Sequence, residues 1–360
     1  MLKPPISAPI SPNNLIGLNY RKEATKFLQL PTGITDAHTH INDVQAAQVL
    51  KDVMQLYGIK MVYSMTHFDQ ISAIKRIFED QIRFIAIPDY RRGDLLYNVG
   101  VGYIERIKKL YRQGVRIVKF WSAPRGVDLA RQAGYPGALS LAAEHIHAAM
   151  EVAHDLGMVF MVHVADPDIW FANQYSDQLT YGTKVSQYEW LEKLLNRFDN
   201  PWIAAHFAGW PEDLTFLSGL LERHSNLYID ASATKWMVRE LSKHPAQELT
   251  DFFVRFQGGI LFGSDIVTRP EHVQAGHQAG SDSRQDAFEL YASRYWALRA
   301  LFETNYQGRS PIADLDYQKA SDGAEESPLL LGKHFPQAVL NSLYYEAADK
   351  LLGKYHDEVW

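Results

Sequence analysis

Two histidines separated by one residue, His38 and His40, end the short apolar run Ile34-Thr35-Asp36-Ala37-His38-Thr39-His40. Residues i and i+2 of a β-strand point to the same side, so both imidazoles can be aimed at one point. Two ligands of one metal ion need that arrangement. Because a single His-x-His pair also arises by accident or for structural reasons, its meaning depends on whether other strands supply further ligands.

Composition limits the class of protein. The chain has 360 residues, of which 46% are hydrophobic, and a net charge of −6, so it lacks the basic balance expected of a nucleic-acid-binding protein. No apolar run approaches the roughly 18 residues of a membrane span. Without cysteine, a metal must be held by His, Asp, Glu or a modified Lys. Residues 1–14 are rich in Pro and Ser and lack the apolar core of a signal peptide, so we expect a cytoplasmic protein.

After a lead-in over residues 1–33, strand-like and helix-like patterns alternate. The predicted strands cover residues 34–40, 59–65, 82–87, 115–120, 158–164, 202–205, 227–229 and 260–262. Most of these runs are continuously apolar, as expected of parallel strands that are covered on both faces. Eight strand–helix units predict an α/β fold, a (β/α)8 TIM barrel, over residues 34–352. A doubly wound sheet is the alternative, but it would not need eight strands, and no glycine-rich phosphate turn follows the first strand.

The predicted helices between these strands cover residues 44–57, 71–79, 103–111, 139–156, 186–197, 212–223 and 246–256, with Pro211 at the first position of the sixth. After the eighth strand we expect a loop over 266–284, a helix over 285–302, a surface excursion over 307–328 and a last helix over 335–352. These additional helices are expected to pack on the outside of the barrel.

Polar residues follow most of the predicted strands. The C-terminal ends of barrel strands meet at one mouth, where active sites lie. The residues concerned are His38, His40, Lys119, His163, His206, Asp230 and Asp265, with His67 and Asp89 after the second and third strands. One histidine at a strand end is usually a hydrogen-bonded rim residue, and an aspartate there is commonly a helix N-cap. Four histidines and an aspartate on four strands are hard to assign to chance together.

These motifs resemble the amidohydrolase superfamily. The residues that carry the resemblance are His38-Thr39-His40, His163, Ala205-His206-Phe207-Ala208-Gly209 and Gly263-Ser264-Asp265. Val118-Lys119-Phe120, Asn226-Leu227-Tyr228-Ile229-Asp230 and the last helix are similar to its amidohydrolase-related branch (amidohydrolase family 2). That branch includes lactone hydrolases and decarboxylases of aromatic and muconate-type acids. Ala347-Ala348, where the branch usually carries Asn-Ala, and the 307–328 excursion depart from its pattern.

The resemblance implies one divalent transition metal held by His38, His40, His163 and Asp265. Three imidazoles and one carboxylate suit Zn²⁺, with Mn²⁺ or Fe²⁺ as alternatives. Such a metal lowers the pKa of a bound water to about 7. Asp265 would accept the proton of that water, and His206 would act as an acid/base or polarise the substrate carbonyl.

Lys119 has two interpretations. Carboxylated, it would bridge two metals, as in binuclear members of the superfamily; unmodified, it would bind substrate or support the barrel. Five further residues are assigned to substrate binding, namely Trp121, Arg125, Trp170, Trp210 and Asp230. Large aromatic residues near strand ends can wall a pocket for a planar molecule, but they also close barrel tops or form contacts in a homo-oligomer.

The predicted function is therefore a metal-dependent hydrolase that acts on a small-molecule substrate through a metal-activated water. A non-oxidative decarboxylase of an aromatic or muconate-type acid is the alternative. A barrel that binds metal and ligand without turnover is the third hypothesis, and the complete ligand set argues against it. No nucleic-acid or membrane partner is expected.

Overall fold

The computed structural model describes residues 11–91, 93–274, 283–321, 323 and 325–353. Its strands are β1 (Ile34–Ile41), β2 (Ile59–Ser64), β3 (Ile82–Ala86), β4 (Ile117–Trp121), β5 (Val159–His163), β6 (Trp202–Ala204), β7 (Leu227–Asp230), β8 (Ile260–Leu261), β9 (Ile266–Thr268), β10 (Gln307–Arg309) and β11 (Leu329–Leu331). The first nine form one sheet in the order β8-β7-β6-β5-β4-β3-β2-β1-β9, and all its neighbouring pairs are parallel.

Backbone hydrogen bonds between β1 and the chain after β8 close this sheet into a barrel. The Ala37 N–H donates to the Phe262 carbonyl at 2.9 Å, and the Asp265 N–H donates to the His38 carbonyl at 2.8 Å. The predicted (β/α)8 barrel is confirmed. The predicted loop over 266–284 is wrong at its start, because Ile266–Thr268 pairs with the end of β1 and satisfies backbone groups there. Residues 275–282 of that prediction lie outside the described residues.

The helices are α1 (Tyr20–Ala24), α2 (Val44–Leu56), α3 (Ile71–Phe78), α4 (Leu95–Val99), α5 (Val101–Arg112), α6 (Arg125–Gln132), α7 (Glu144–Asp155), α8 (Asp168–Ala172), α9 (Gln178–Tyr181), α10 (Tyr188–Arg197), α11 (Leu214–Arg223), α12 (Thr234–Leu241), α13 (Ala246–Arg255), α14 (Ser283–Glu303), α15 (Leu315–Ala320), α16 (Gln337–Asn341) and α17 (Ala347–Leu352). A π-helical turn, Ser342–Glu346, joins α16 to α17. Short 3₁₀ turns occur at Glu79–Gln81, Val185–Gln187, Phe207–Gly209 and Pro270–Val273.

Helix starts show where local hydrogen bonds override the apolar pattern. α11 begins at Leu214 rather than residue 212, because the Asp213 carboxylate accepts the Phe216 N–H at 2.8 Å and so caps the helix. Pro211 therefore lies outside the helix. α7 begins at Glu144 rather than residue 139, since Ala143 is extended. The short helices α4, α6, α8, α9 and α12 were not predicted.

The final helix, α17, packs against the apolar interior of the barrel. Ala347, Ala348, Leu351 and Leu352 share one buried cluster with side chains of the barrel strands such as Ile117, Val159, Met161, Ile203 and Leu261. Leu352 also lies beside Gly114 and Arg116, at the start of β4. The expectation that this segment packs outside the barrel is therefore wrong for α17, whose small and apolar residues fill space that the short strands leave open, whereas α16 packs against the outer helix α13.

The additional segments after β8 form a layer continuous with the barrel. α14 is buried over most of its length and packs against α1, α2 and α12. β10 and β11 pair in antiparallel fashion, with α15 between them. The division into a lead-in over residues 1–33 and a barrel domain over 34–352 stays a prediction. Among the described residues, none of the helices combines the length and apolar character that crossing a bilayer requires.

Candidate metal centre and active site

Strand geometry places polar side chains above an apolar interior. Ile117 and Lys119 lie on one side of β4, and Met161 and His163 lie on one side of β5. Ile117 and Met161 belong to the buried cluster inside the barrel. The next inward position on each strand is therefore the polar residue at the mouth.

Three of the predicted ligands converge at this mouth. One donor atom each from His38, His40 and Asp265 can be chosen so that all three lie within 4.8 Å of one another. The Asp265 Oδ1 atom is 3.3 Å from His40 Nε2 and 3.7 Å from His38 Nε2. The left-handed backbone of Asp265, with φ +57°, directs its carboxylate toward the histidines while its N–H bonds the His38 carbonyl.

The buried ring of His38 has one satisfied nitrogen and one unsatisfied nitrogen. Nδ1 is 2.8 Å from Asp230 Oδ2, whereas Nε2 is buried without a hydrogen-bond partner. An ionised carboxylate only accepts, so Nδ1 carries the proton and Nε2 presents its lone pair. Burial, and then the charge of Lys119, lower the pKa of His38 and keep the ring neutral. A neutral imidazole with a buried, unused lone pair fits a metal ligand.

The Asp265 carboxylate is strongly stabilised in its ionised form. Burial by itself would raise its pKa, but the hydrogen bond with His40 and the basic groups around it, including the Lys119 ammonium, outweigh burial and lower the pKa to about 2. The side chain retains 28% of its exposure, so it can meet both a ligand and solvent. Its charge complements the neutral His38 ring in a donor set for a divalent cation.

His206 follows β6 in a strained turn. His206, Phe207 and Ala208 have φ of +59°, +53° and +51°, values that non-glycine residues rarely adopt in succession. Gly209 ends the turn, and a Cβ there would lie 2.1 Å from the Ala165 carbonyl oxygen. This turn directs the imidazole of His206 toward the mouth. The centroid of that ring is 4.8 Å from the centroid of the His38 ring and 4.5 Å from that of the His163 ring.

Hydrogen bonds determine which nitrogen of His206 is available. The Ser232 hydroxyl donates its proton to Asp230 Oδ1. The Ser232 oxygen must therefore accept a hydrogen bond from the Nδ1–H of His206, at 2.6 Å. Nε2 of His206 is then a proton acceptor. Burial is the main cause that lowers the pKa of His206, so the ring is neutral.

A second group of donor atoms, from His38, His206 and Asp230, meets the same 4.8 Å distance. The Asp230 carboxylate is already used there. Its Oδ1 accepts hydrogen bonds from the backbone N–H of His206, at 2.9 Å, and from the Ser232 hydroxyl. Its Oδ2 accepts from the ring Nδ1–H of His38. We therefore favour the group that contains Asp265.

His163 stands beside the converging donors without joining them. Its Nε2 is 2.9 Å from Oδ1 of the buried Asp166, which leaves Nδ1 as the nitrogen to meet a ligand. Carboxylates that bond the far nitrogen of a metal-binding histidine are a recurrent feature of metal sites. Sequence reasoning missed Asp166; its one signal was an aspartate three residues after a strand-end histidine.

Lys119 is buried beside the acidic residues of the site. Burial lowers the pKa of its ammonium to about 8, although the charges of Asp230 and Asp265 oppose that change. Its position beside Asp230 and Asp265 is compatible with both predicted roles, metal bridging and substrate binding.

The residues assigned to substrate binding separate into different places. Trp121 and Arg125 line a cavity of about 320 Å³ with Gln174 and Tyr175. Trp121 is paired in register with His163, so one residue of the cavity lining neighbours the histidine cluster, although the candidate metal ligands themselves do not line the cavity.

Two aromatic residues show a second boundary of the mouth. Trp170 packs edge-on against Trp236 at 5.0 Å, and Trp236 in turn lies 5.2 Å from the His206 ring and 6.1 Å from the His163 ring. Trp210 instead stacks on Tyr188 at 5.7 Å. Asp230 contacts the Nδ1 side of His38 and the backbone of His206, so its carboxylate is already occupied by these two histidines.

Fold and site together define a closed parallel β/α barrel with a histidine–aspartate cluster at its C-terminal mouth. No family model matches the sequence, and no curated protein matches it. Similar solved structures include an amidohydrolase II, at 11% identity over 89% of this chain and 99% of that chain, with a TM-score of 0.44.

Two further similar structures carry more specific names. A probable 2-pyrone-4,6-dicarboxylic acid hydrolase from Acinetobacter baumannii is 12% identical over 80% of this chain and 98% of its own, with a TM-score of 0.41. A 2,6-dihydroxybenzoate decarboxylase from Rhizobium is 12% identical over 74% of this chain and 99% of its own, with a TM-score of 0.33.

Proposed function

We propose that this chain is a metal-dependent hydrolase of a small molecule, with one divalent transition metal held by His38, His40, His163 and Asp265. The observation that carries the proposal is the convergence of the His38, His40 and Asp265 donor atoms within 4.8 Å around the unsatisfied Nε2 of His38. Neutral imidazoles with one carboxylate suit Zn²⁺, and Mn²⁺ or Fe²⁺ are the alternatives.

The bound metal would supply a Lewis acid and a water whose pKa falls to about 7. Asp265, which is ionised and partly exposed, would be the group that accepts the proton of that water. His206 offers a neutral Nε2 as a second proton acceptor, and the Ser232 hydroxyl holds its ring in place. This geometry favours an acid/base role for His206 over polarisation of the substrate carbonyl, because polarisation would need a proton on Nε2.

The cavity of about 320 Å³ beside Trp121 is the proposed place for the substrate. Its volume fits a small molecule. The exposed Arg125 at its edge can pair with a carboxylate, and the aromatic rings of Trp121 and Tyr175 can contact a planar group. We propose Trp170 as a wall of the same mouth, whereas the position of Trp210 supports a packing role.

Metal analysis of protein purified without chelators tests the proposal first. We expect about one transition metal per chain, since one cluster of converging donors is favoured. Two metals per chain, lost together in Lys119→Met, would support a carboxylated Lys119 instead. Absence of metal even after reconstitution would contradict the metal site.

The reaction type is tested with substrate panels. We expect hydrolysis of lactones or amides by the metal-loaded protein. Release of CO₂ from aromatic acids without any hydrolysis would support the decarboxylase. Metal binding without turnover of either panel would support the non-catalytic barrel.

A further inference from the structure

The excursion between β10 and β11 is anchored to the helix that carries Trp236. Arg239, one turn further along α12, forms an ion pair with Asp314, and both side chains are 2% exposed. Asp314 also caps α15, since its Oδ1 accepts the Asp316 N–H at 3.1 Å and the Tyr317 N–H at 3.4 Å. Desolvating an ion pair this completely is costly, and losing either partner would leave the other as an unpaired buried charge, so the pair ties the start of α15 to α12.

The anchored turn reaches the mouth through one hydrogen bond. The Trp170 indole Nε1–H donates to Asp316 Oδ2 at 2.8 Å. The same indole meets Trp236 at 5.0 Å with its ring plane at 80°. Trp236 lies against His206 with a centroid distance of 5.2 Å. The start of α15 is thus joined to α12 by the Arg239–Asp314 ion pair and to α8 by the Asp316–Trp170 hydrogen bond. The contact of Trp170 with Trp236 joins α8 to α12 in turn.

We propose that Asp316 is a positioning residue that holds Trp170 against Trp236, which makes the excursion a determinant of substrate specificity. The effect on specificity rests on the proposed function, whereas the positioning of the indole does not. A tryptophan without a partner for its N–H could adopt other rotamers and leave Trp236 unsupported. The wall beside His206 and His163 would then change shape without loss of any candidate metal ligand.

The first experiment measures the geometry of the two indoles without any substrate. Closely packed tryptophans produce an exciton couplet in the far-ultraviolet circular dichroism, and Trp236→Phe or Trp170→Phe identifies the contribution of this pair. We expect Asp316→Ala to lose that contribution and Asp316→Asn, which keeps an acceptor oxygen, to retain much of it.

The matched control is Glu325→Gln in the same excursion, because Glu325 pairs with Arg309 and Tyr317 and does not contact Trp170. It should leave the couplet intact. An unchanged couplet in Asp316→Ala, or equal loss in Asp316→Ala and Glu325→Gln, would overturn the positioning role.

The second experiment measures specificity on two lactone probes, the planar dihydrocoumarin and the smaller γ-butyrolactone. We expect Asp316→Ala to change the ratio of their kcat/KM values several-fold, mainly through KM, with metal content unchanged. Asp316→Ala added to Trp170→Phe should have no further effect on the ratio. An additive effect or an unchanged ratio would overturn the specificity role. Failure of the wild type on every lactone and amide would contradict the proposed hydrolase. In that case the exciton couplet still decides whether Asp316 positions Trp170.

Discussion

The Asp230 Oδ2 atom lies 2.8 Å from His38 Nδ1, and both side chains are almost completely buried. Asp230 therefore sits behind the proposed ligand, on the side away from Asp265. Its other oxygen accepts a hydrogen bond from the backbone N–H of His206 at 2.9 Å, so one carboxylate orients residues that follow two different strands. The sequence suggested a substrate contact for Asp230; the observed contacts support an orienting role.

Replacing Asp230 tests that role. In Asp230→Asn the amide can donate to His38 Nδ1, which would move the ring proton to Nε2 and block the lone pair. We expect metal affinity to fall roughly 10- to 100-fold, as for other groups that orient metal ligands. Competition with a chelator measures the affinity. Asp177→Asn, which alters the N-cap of α9, is the control and should bind metal normally; equal affinity in both variants would count against the role of Asp230.

The two overlapping donor groups predict different responses to histidine replacement. If the metal lies at His38, His40 and Asp265, His40→Ala should lose metal, whereas His206→Ala should keep metal and lose turnover. Elemental analysis and activity on the same preparations separate these effects. Metal loss in His206→Ala with retention in His40→Ala would instead place the metal with Asp230.

His163 gives a third prediction because its Nε2 is held by Asp166 at 2.9 Å. We expect His163→Ala to lower metal content strongly and Asp166→Asn to lower affinity to a smaller extent, since Asp166 acts only through the ring. Titration of the metal-free variants with Zn²⁺ measures both. Full occupancy in His163→Ala would exclude this histidine as a ligand.

Glu212 predicts a pH dependence of stability away from the metal centre. Burial raises the pKa of this carboxyl to about 7, and the nearby Lys184 opposes the change only in part. Between about pH 4.5 and pH 7 the folded chain retains a proton that the unfolded chain has released, so the free energy of unfolding falls as pH rises through that window. Above it the loss is complete, at most about 3 kcal/mol.

Glu212→Gln removes this titration. We expect a weaker fall of stability between about pH 5 and pH 8 than in the wild type, measured by urea denaturation. Glu222→Gln, on the surface beside Arg255, serves as the control and should keep the wild-type slope. A wild-type slope in Glu212→Gln would show that this carboxyl is ionised throughout the range.

The strand–helix alternation and the strand-end polar residues could be predicted from sequence, because parallel strands buried on both faces leave continuous apolar runs and the barrel brings their C-terminal ends together. His38, His40 and Asp265 were placed at the mouth in this way, and the resemblance to the amidohydrolase superfamily implied their role as ligands. Trp236, which contacts the His206 and His163 rings, was not among the residues assigned to substrate binding, since nothing local in the sequence indicates which ring faces the histidines.

Local pattern alone determined the barrel and the residue types at its mouth. Tertiary structure alone decided that α17 packs against the interior of the barrel, that β9 pairs with β1, and that Asp230 and Asp166 bond the far nitrogens of histidines. The physical reason is that these contacts join residues far apart in sequence or depend on side-chain direction after a strand ends. Asp316 and Trp170, which are 146 residues apart, meet only because the barrel places the α8 and α15 segments at the same mouth.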